Sequence, residues 1–172
     1  MYLRKKNLDN MFKVSFNKDS KKVQTFNNRA TVVTITGEMS FSSEVWDIFP
    51  DKITNWMWQH PSVDASWGTC TKEYDVIRLE FSGKSVCAED DSFDAKIGER
   101  IAESRAMIDI YSFFYKLCCK LYDYYSSLLF GAEGIVAKGS GWSIEAAVRK
   151  YEKLWVCESK HLGELIKDNS NV

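Results

Sequence analysis

Histidine is almost missing from this chain: His60 and His161 are the only two among 172 residues. Neither stands in a nucleophile motif, so the acid–base relays that histidine commonly runs have little to be built from. No glycine loop is placed to cradle a phosphate, because "GSGW" at 139–142 lacks the lysine and the spacing of a P-loop. No apolar run reaches the roughly 18 residues of a membrane span, and the N-terminus lacks the apolar stretch of a secretion signal. The five cysteines, Cys70, Cys87, Cys118, Cys119 and Cys157, are odd in number and keep no framework spacing. Reduced thiols in a cytoplasmic compartment are therefore expected. Neither sign of charge dominates: the formal net charge is −1, which lends no support to non-specific attraction for nucleic acid. These absences together predict a chain that is not an enzyme, carries no cofactor, meets no membrane and does not depend on a nucleic-acid partner.

What is present is aromatic. Six Trp, eight Tyr and ten Phe exceed the usual share, and such side chains enrich cores and partner surfaces alike. Charge is also uneven, with a net +5 over the first 22 residues. Residues 1–10 are expected to form a flexible basic arm that acts as a solubilising tail, and 11–172 a single α+β domain.

The predicted fold is a small N-terminal antiparallel β-sheet followed by a long C-terminal helical hairpin. The sheet is expected over 11–88. Phe12, Val14 and Phe16 alternate before a polar turn at Asn17–Ser20, and the β-branched run Arg29–Gly37 is the clearest strand. Ser42 or Ser43 can cap a short helix that Pro50 would end, and Trp56, Met57 and Trp58 mark a second apolar turn. Ile77, Leu79 and Phe81 alternate again, and the "SGK" at 82–84 predicts a tight turn into a short strand at Ser85–Ala88.

Two helices are then expected, over about 95–130 and 144–167. Ile97, Ile101, Ile108, Tyr115, Tyr122 and Leu129 recur at helical spacing, with Asp94 as N-cap and Gly131 as C-terminal cap. Unbroken, that helix would be about 50 Å long at 1.5 Å per residue. It must break or project, and a projecting apolar helix predicts a homo-oligomer. "GAEGIVAKGSG" at 131–141 reads as a flexible connector. Ser143 would cap the second helix, whose apolar face carries Ile144, Val148, Tyr151, Trp155, Leu162 and Ile166.

Few residues are candidates for chemistry. Cys157 and His161 stand four apart, but a zinc site needs two more ligands, so no metal is predicted. Cys118 and Cys119 are adjacent on a helix and leave it about 100° apart, a poor chelating pair. Asp75, Glu80 and Lys84 do not match the compact spacing of a metal-dependent nuclease. The stretch "EDDSFDAKIGERIAESRA" at 89–106 is the informative one. Its acids, Glu89, Asp90, Asp91 and Asp94, open a helix and form a possible acidic patch. Gly98 inside that helix costs about 1 kcal/mol relative to alanine, which close approach to the sheet would offset. Ala102 and Ala106 extend the same ridge of small residues. Arg100 and Arg105 can clamp an anion or pair with Glu99, Glu103 or Asp109, and they are the candidate ligand-binding residues.

The run Phe81–Ala106 resembles a pattern of small bacteriophage proteins, a strand followed by D-x-F-D and then G-x-x-I/L-A-x-x-R/K-A at a helix start. The matching residues are Asp91, Phe93, Asp94, Gly98, Ile101, Ala102, Arg105 and Ala106. Within that group, a sheet followed by two helices resembles the phage anti-Thoeris sponge family. The resemblance implies a non-enzymatic oligomer in the host bacterial cytoplasm that sequesters a cyclic ADP-ribose immune signal. It also implies arginines near the helix start, here Arg105, on the phosphates and an aromatic side chain on the adenine. The Trp-rich stretch 41–67 departs from a minimal sponge. Two alternatives stay open: a protein-binding inhibitor of a host defence effector such as a CRISPR nuclease, and a phage accessory or structural protein.

Overall fold

Two asparagines make the first hairpin. The computed structural model describes residues 14–41, 50–63, 76–88, 93–127 and 134–169. Strand β1 (Val14–Phe26) passes straight through the polar Asn17–Ser20 segment expected to turn. It turns instead at Asn27 and Asn28, whose φ values of 50° and 49° lie in the left-handed region. Arg29 N–H donates to the Phe26 carbonyl at 3.0 Å to close the turn. Asparagine tolerates that conformation, and the primed turns that need it match the twist of paired strands. Strand β2 (Ala30–Phe41) then returns antiparallel. The expected turn survives only as a bulge, a register shift between Lys18 and Ser20 that leaves Asp19 unpaired.

The expected helix ahead of Pro50 lies outside the described residues. Pro50 itself opens a helix, as N-cap of α1 (Asp51–Trp58), because a helix start needs no N–H from it. Ile53 and Met57 are its buried residues. Beyond α1, Val63 bridges Leu79 and Glu80 N–H donates to the Ser62 carbonyl at 2.8 Å. That attaches the segment to the outer edge of β3 (Val76–Val86), and the three strands form one sheet in the order β1-β2-β3.

"SGK" does not turn. Ser82, Gly83 and Lys84 lie inside β3, paired with Thr34, Val33 and Val32. The glycine is there because helix α2 (Ala95–Ser127) crosses it. A Cβ on Gly83 would fall 1.9 Å from the Ala102 carbonyl oxygen and 2.6 Å from the Ala106 nitrogen. A glycine inside a strand marks close approach of another backbone as readily as a turn.

Helix α2 is unbroken over 33 residues. Helix α3 (Gly134–Asn169) runs antiparallel beside it. Tyr151 stacks on Phe114 (5.0 Å between centroids), Trp155 on Tyr115 (5.8 Å), and Ser104 Oγ donates to Glu158 at 2.5 Å. Helix α3 thus covers part of the apolar face of the long helix, while Tyr122 stays exposed. The connector expected at 131–141 is helical from Gly134, so Ser143 stands inside the helix rather than at its start. Propagating a helix already anchored at Ile144 and Tyr151 is cheap beside nucleating one, so the glycines at 134, 139 and 141 do not stop it.

The layers are sheet, α2 and α3. One face of the sheet presents Thr31, Val33, Ile35 and Met39 of β2 and Ile77, Leu79, Phe81 and Gly83 of β3, all buried. Against them lie Ala102, Ala106, Ile110 and Phe113 of α2, while Phe114, Leu117, Cys118 and Leu121 join Ile144 and Tyr151 in the same core. Much of the aromatic surplus is spent here: Phe16, Trp56, Phe81, Phe113, Phe114 and Tyr151 pack ring against ring. Among the described residues, no helix lies on the opposite face of the sheet.

Candidate functional site

The helix start behaves as its composition dictates. The Asp94 carboxylate accepts from the backbone N–H groups of Lys96 (2.7 Å) and Ile97 (3.1 Å), which an α-helix leaves without internal partners. Gly98 lies over Thr31, so that a Cβ there would stand 2.8 Å from the threonine hydroxyl. Ala102 and Ala106 lie over Gly83. The ridge of small residues is therefore the helix–sheet contact. Glu89, Asp90 and Asp91, the rest of the expected acidic patch, lie outside the described residues.

Glu99 and Glu103 do not pair with the arginines. Lys21 Nζ reaches Glu99 at 2.7 Å and Glu103 at 2.9 Å, and Lys18 Nζ reaches Glu103 at 3.2 Å. The β1 bulge is the cause. Lys18 pairs with Gly37 and Lys21 with Ile35, both on the helix-facing side of β2. In a regular strand, residues three apart face opposite ways; one inserted residue puts both lysines under α2. Hydrogen bonds that it donates to Glu99 and Glu103 hold the Lys21 ammonium above its usual range. Burial works to raise the Glu103 carboxyl, but the hydrogen bonds from Lys21 and Lys18 outweigh it and hold that carboxyl below its ordinary value.

Arg105 and Arg100 part company. Five residues apart on a helix, they leave its axis about 140° from one another, so the helix does not aim them at one anion. Arg105 is exposed and turns to the outer edge of β3, where its guanidinium donates to the Lys84 carbonyl. Arg100 is exposed and makes no hydrogen bond or ion pair among the described residues.

A second group of ionisable side chains went unnoticed in the sequence. His60, half-buried after α1, packs edge-on against Phe113 at 4.7 Å, and Trp56 stacks on the same ring at 5.7 Å. Lys120 Nζ lies 5.1 Å from the Trp56 ring centre. Burial, helped by Lys116, pushes the imidazole below its usual value against the pull of Asp109. Desolvation raises the Asp109 carboxyl, opposed by Lys116 and His60. A neutral imidazole on an aromatic floor is a packing arrangement, and Ser62 N–H satisfies its Nδ1 at 3.3 Å. No sequence signal joins α1 to α2 here, because the contact links residues about 50 apart.

The thiols are dispersed. Cys118 is buried and its thiol is pushed up to about 12 by that burial, whereas Cys157 and His161 lie exposed on α3. Among the described residues no three His, Cys, Asp or Glu side chains gather as a metal ion would need. No helix among them is long and apolar enough to cross a membrane. The comparisons with known proteins find no family model, no curated protein and no solved structure that matches this chain.

Proposed function

We propose that this chain is a non-enzymatic phage or prophage counter-defence protein that works in the host cell by binding and sequestering a cyclic nucleotide immune signal. The observation that carries the reading is the position of Arg105. Its guanidinium is tethered by one hydrogen bond to the Lys84 backbone, and the Lys84 ammonium belongs to the same strand residue. Two cations are thereby offered at one exposed edge, and a guanidinium with N–H groups to spare suits a phosphate. The helix-start pattern, through its resemblance to anti-Thoeris sponges, supports the choice of a nucleotide over other anions. Nothing in this reading asks for a bond to be made or broken.

Calorimetric titration of the full chain with cyclic ADP-ribose isomers and cyclic oligonucleotides tests it, with light scattering to read the oligomeric state. Binding is expected, and Arg105→Ala should weaken it at least several-fold while leaving the melting temperature nearly unchanged. If a folded protein binds none of these nucleotides, sequestration is wrong and protein inhibition becomes the reading to pursue.

A further inference from the structure

The face of the sheet that α2 leaves open is ordered in rows by the strand register. From the hairpin tip they are Phe26–Ala30–Val86, Gln24–Val32–Lys84, Lys22–Thr34–Ser82, Ser20–Thr36–Glu80 and Asn17–Glu38–Arg78. The first row is apolar and open, with Phe26 48% and Val86 60% exposed. The second and third rows contribute Lys84 and Lys22, exposed and without an ion pair among the described residues. Acids enter only at the fourth and fifth rows.

From this arrangement we infer that the hairpin-tip end of the open sheet face is a nucleotide-binding site: Phe26 takes a base, and Lys22, Lys84 and Arg105 take the phosphates. The inference rests on the sequestration reading and gives it a location.

Three properties of the face select this occupant. An exposed aromatic ring at a strand end, with no other ring against it among the described residues, is a stacking platform. Every base has a π-face to offer it. Lys22 and Lys84 flank β2 from strands about 10 Å apart, a gap that two lysine chains close on one anion between them. Arg105 reaches the same row from beneath, because its hydrogen bond is to Lys84 itself. Thr34 and Ser82, hydroxyl to hydroxyl at 3.0 Å, supply neutral donors and acceptors beside Lys22. An apolar protein partner would leave three cations unpaired, whereas a phosphate-bearing ring satisfies both the ring and the charges.

The same register limits the ligand's size. Rows on one face are about 6.8 Å apart, so Glu80 lies about 20 Å from Phe26 along the strands. A mononucleotide or a cyclic dinucleotide fits short of it. An extended oligonucleotide runs on over Glu80 and Glu38, where like charge repels its phosphates.

Titration calorimetry on the full chain uses cyclic ADP-ribose, a cyclic dinucleotide and an oligothymidylate as probes, with wild type, Phe26→Ala, the double variant Lys22→Ala/Lys84→Ala, and Asn17→Ala as a control in the fifth row. At least one of the two small probes should bind wild type. Phe26→Ala and the double lysine variant should each weaken it about tenfold or more, with Asn17→Ala unchanged and thermal melts alike. If wild type binds but neither variant weakens it, the site is wrong and sequestration stands. If the folded wild type binds no probe, both fall. If the oligothymidylate binds more tightly than both small probes, the ligand is a nucleic-acid strand, and the size limit drawn from Glu80 and Glu38 is overturned.

Discussion

The same three strands build two unlike faces. Along β3, odd-numbered residues Ile77, Leu79, Phe81 and Gly83 are buried under α2, and even-numbered Arg78, Glu80, Ser82 and Lys84 are exposed. The covered face is packed until backbone meets backbone at Gly83. On the other, hydroxyls pair in short cross-strand contacts, Ser20 with Thr36 at 2.7 Å and Thr34 with Ser82 at 3.0 Å. Residues on the covered face are constrained by shape, so substitutions there should be read in stability. Exposed residues of the open face, such as Lys22, Ser82 and Lys84, are less constrained, so substitutions there should be read in binding.

The largest contrast is expected between two neighbours in β3. Gly83→Val puts a side chain into the Ala102 carbonyl and the Ala106 amide, and neither helical backbone atom can move aside alone. It should cost more than about 3 kcal/mol in urea melts, or prevent folding. Ser82→Val, one residue away on the open face, should change stability by no more than about 0.5 kcal/mol. Equal effects would mean that α2 is not seated where the glycine implies.

A smaller effect of opposite sign is expected at Thr31. Its hydroxyl is fully buried beneath Gly98 and has no hydrogen-bond partner among the described residues. An unsatisfied buried hydroxyl costs about 1–3 kcal/mol, so Thr31→Val should stabilise the fold by about 1 kcal/mol, seen as a higher denaturation midpoint. A loss of stability instead would show that the hydroxyl is satisfied.

The smallest effect comes from the ion pairs that tie β1 to α2. The Glu103 carboxyl is held below its ordinary 4.5, so what it adds to stability is present above that value. The contribution is lost as pH falls through the lower folded value. Glu103→Gln should therefore be less stable than wild type at neutral pH, by a margin that vanishes in acid. Denaturant melts across that range check this, and a margin that persists in acid would assign the effect to packing. Because these groups lie in part in solvent, the margin is expected to be small.

The legible parts of the fold were the local ones. The β-branched run of β2, the Asp94 cap and the helical period of α2 each rest on residues a few positions apart. Even Gly98, Ala102 and Ala106 could be read as a contact surface, because small residues at steps of four have few other uses. The other half of that contact was illegible. Gly83 looks like a turn residue until a helix lies over it, and nothing near "SGK" says that the helix does. The candidate arginines were legible as cations, but not their directions. Arg105's place depends on where β3 runs beneath it, and the tip of the open face combines residues from three strands.

Propensity, capping and periodicity act within a few residues, and they suffice for the α+β class, the order of sheet and helices and the small-residue face that α2 turns to the sheet. What those elements present to one another is set by their packing in three dimensions. It fixes the bulge that turns Lys18 and Lys21 toward the same helix, and the register that lines up Phe26, Lys22 and Lys84 on one open face. Parity is the cause. A strand's side chains alternate, so one inserted residue, or one partner strand's offset, reassigns every side chain beyond it, and neither is written in local composition.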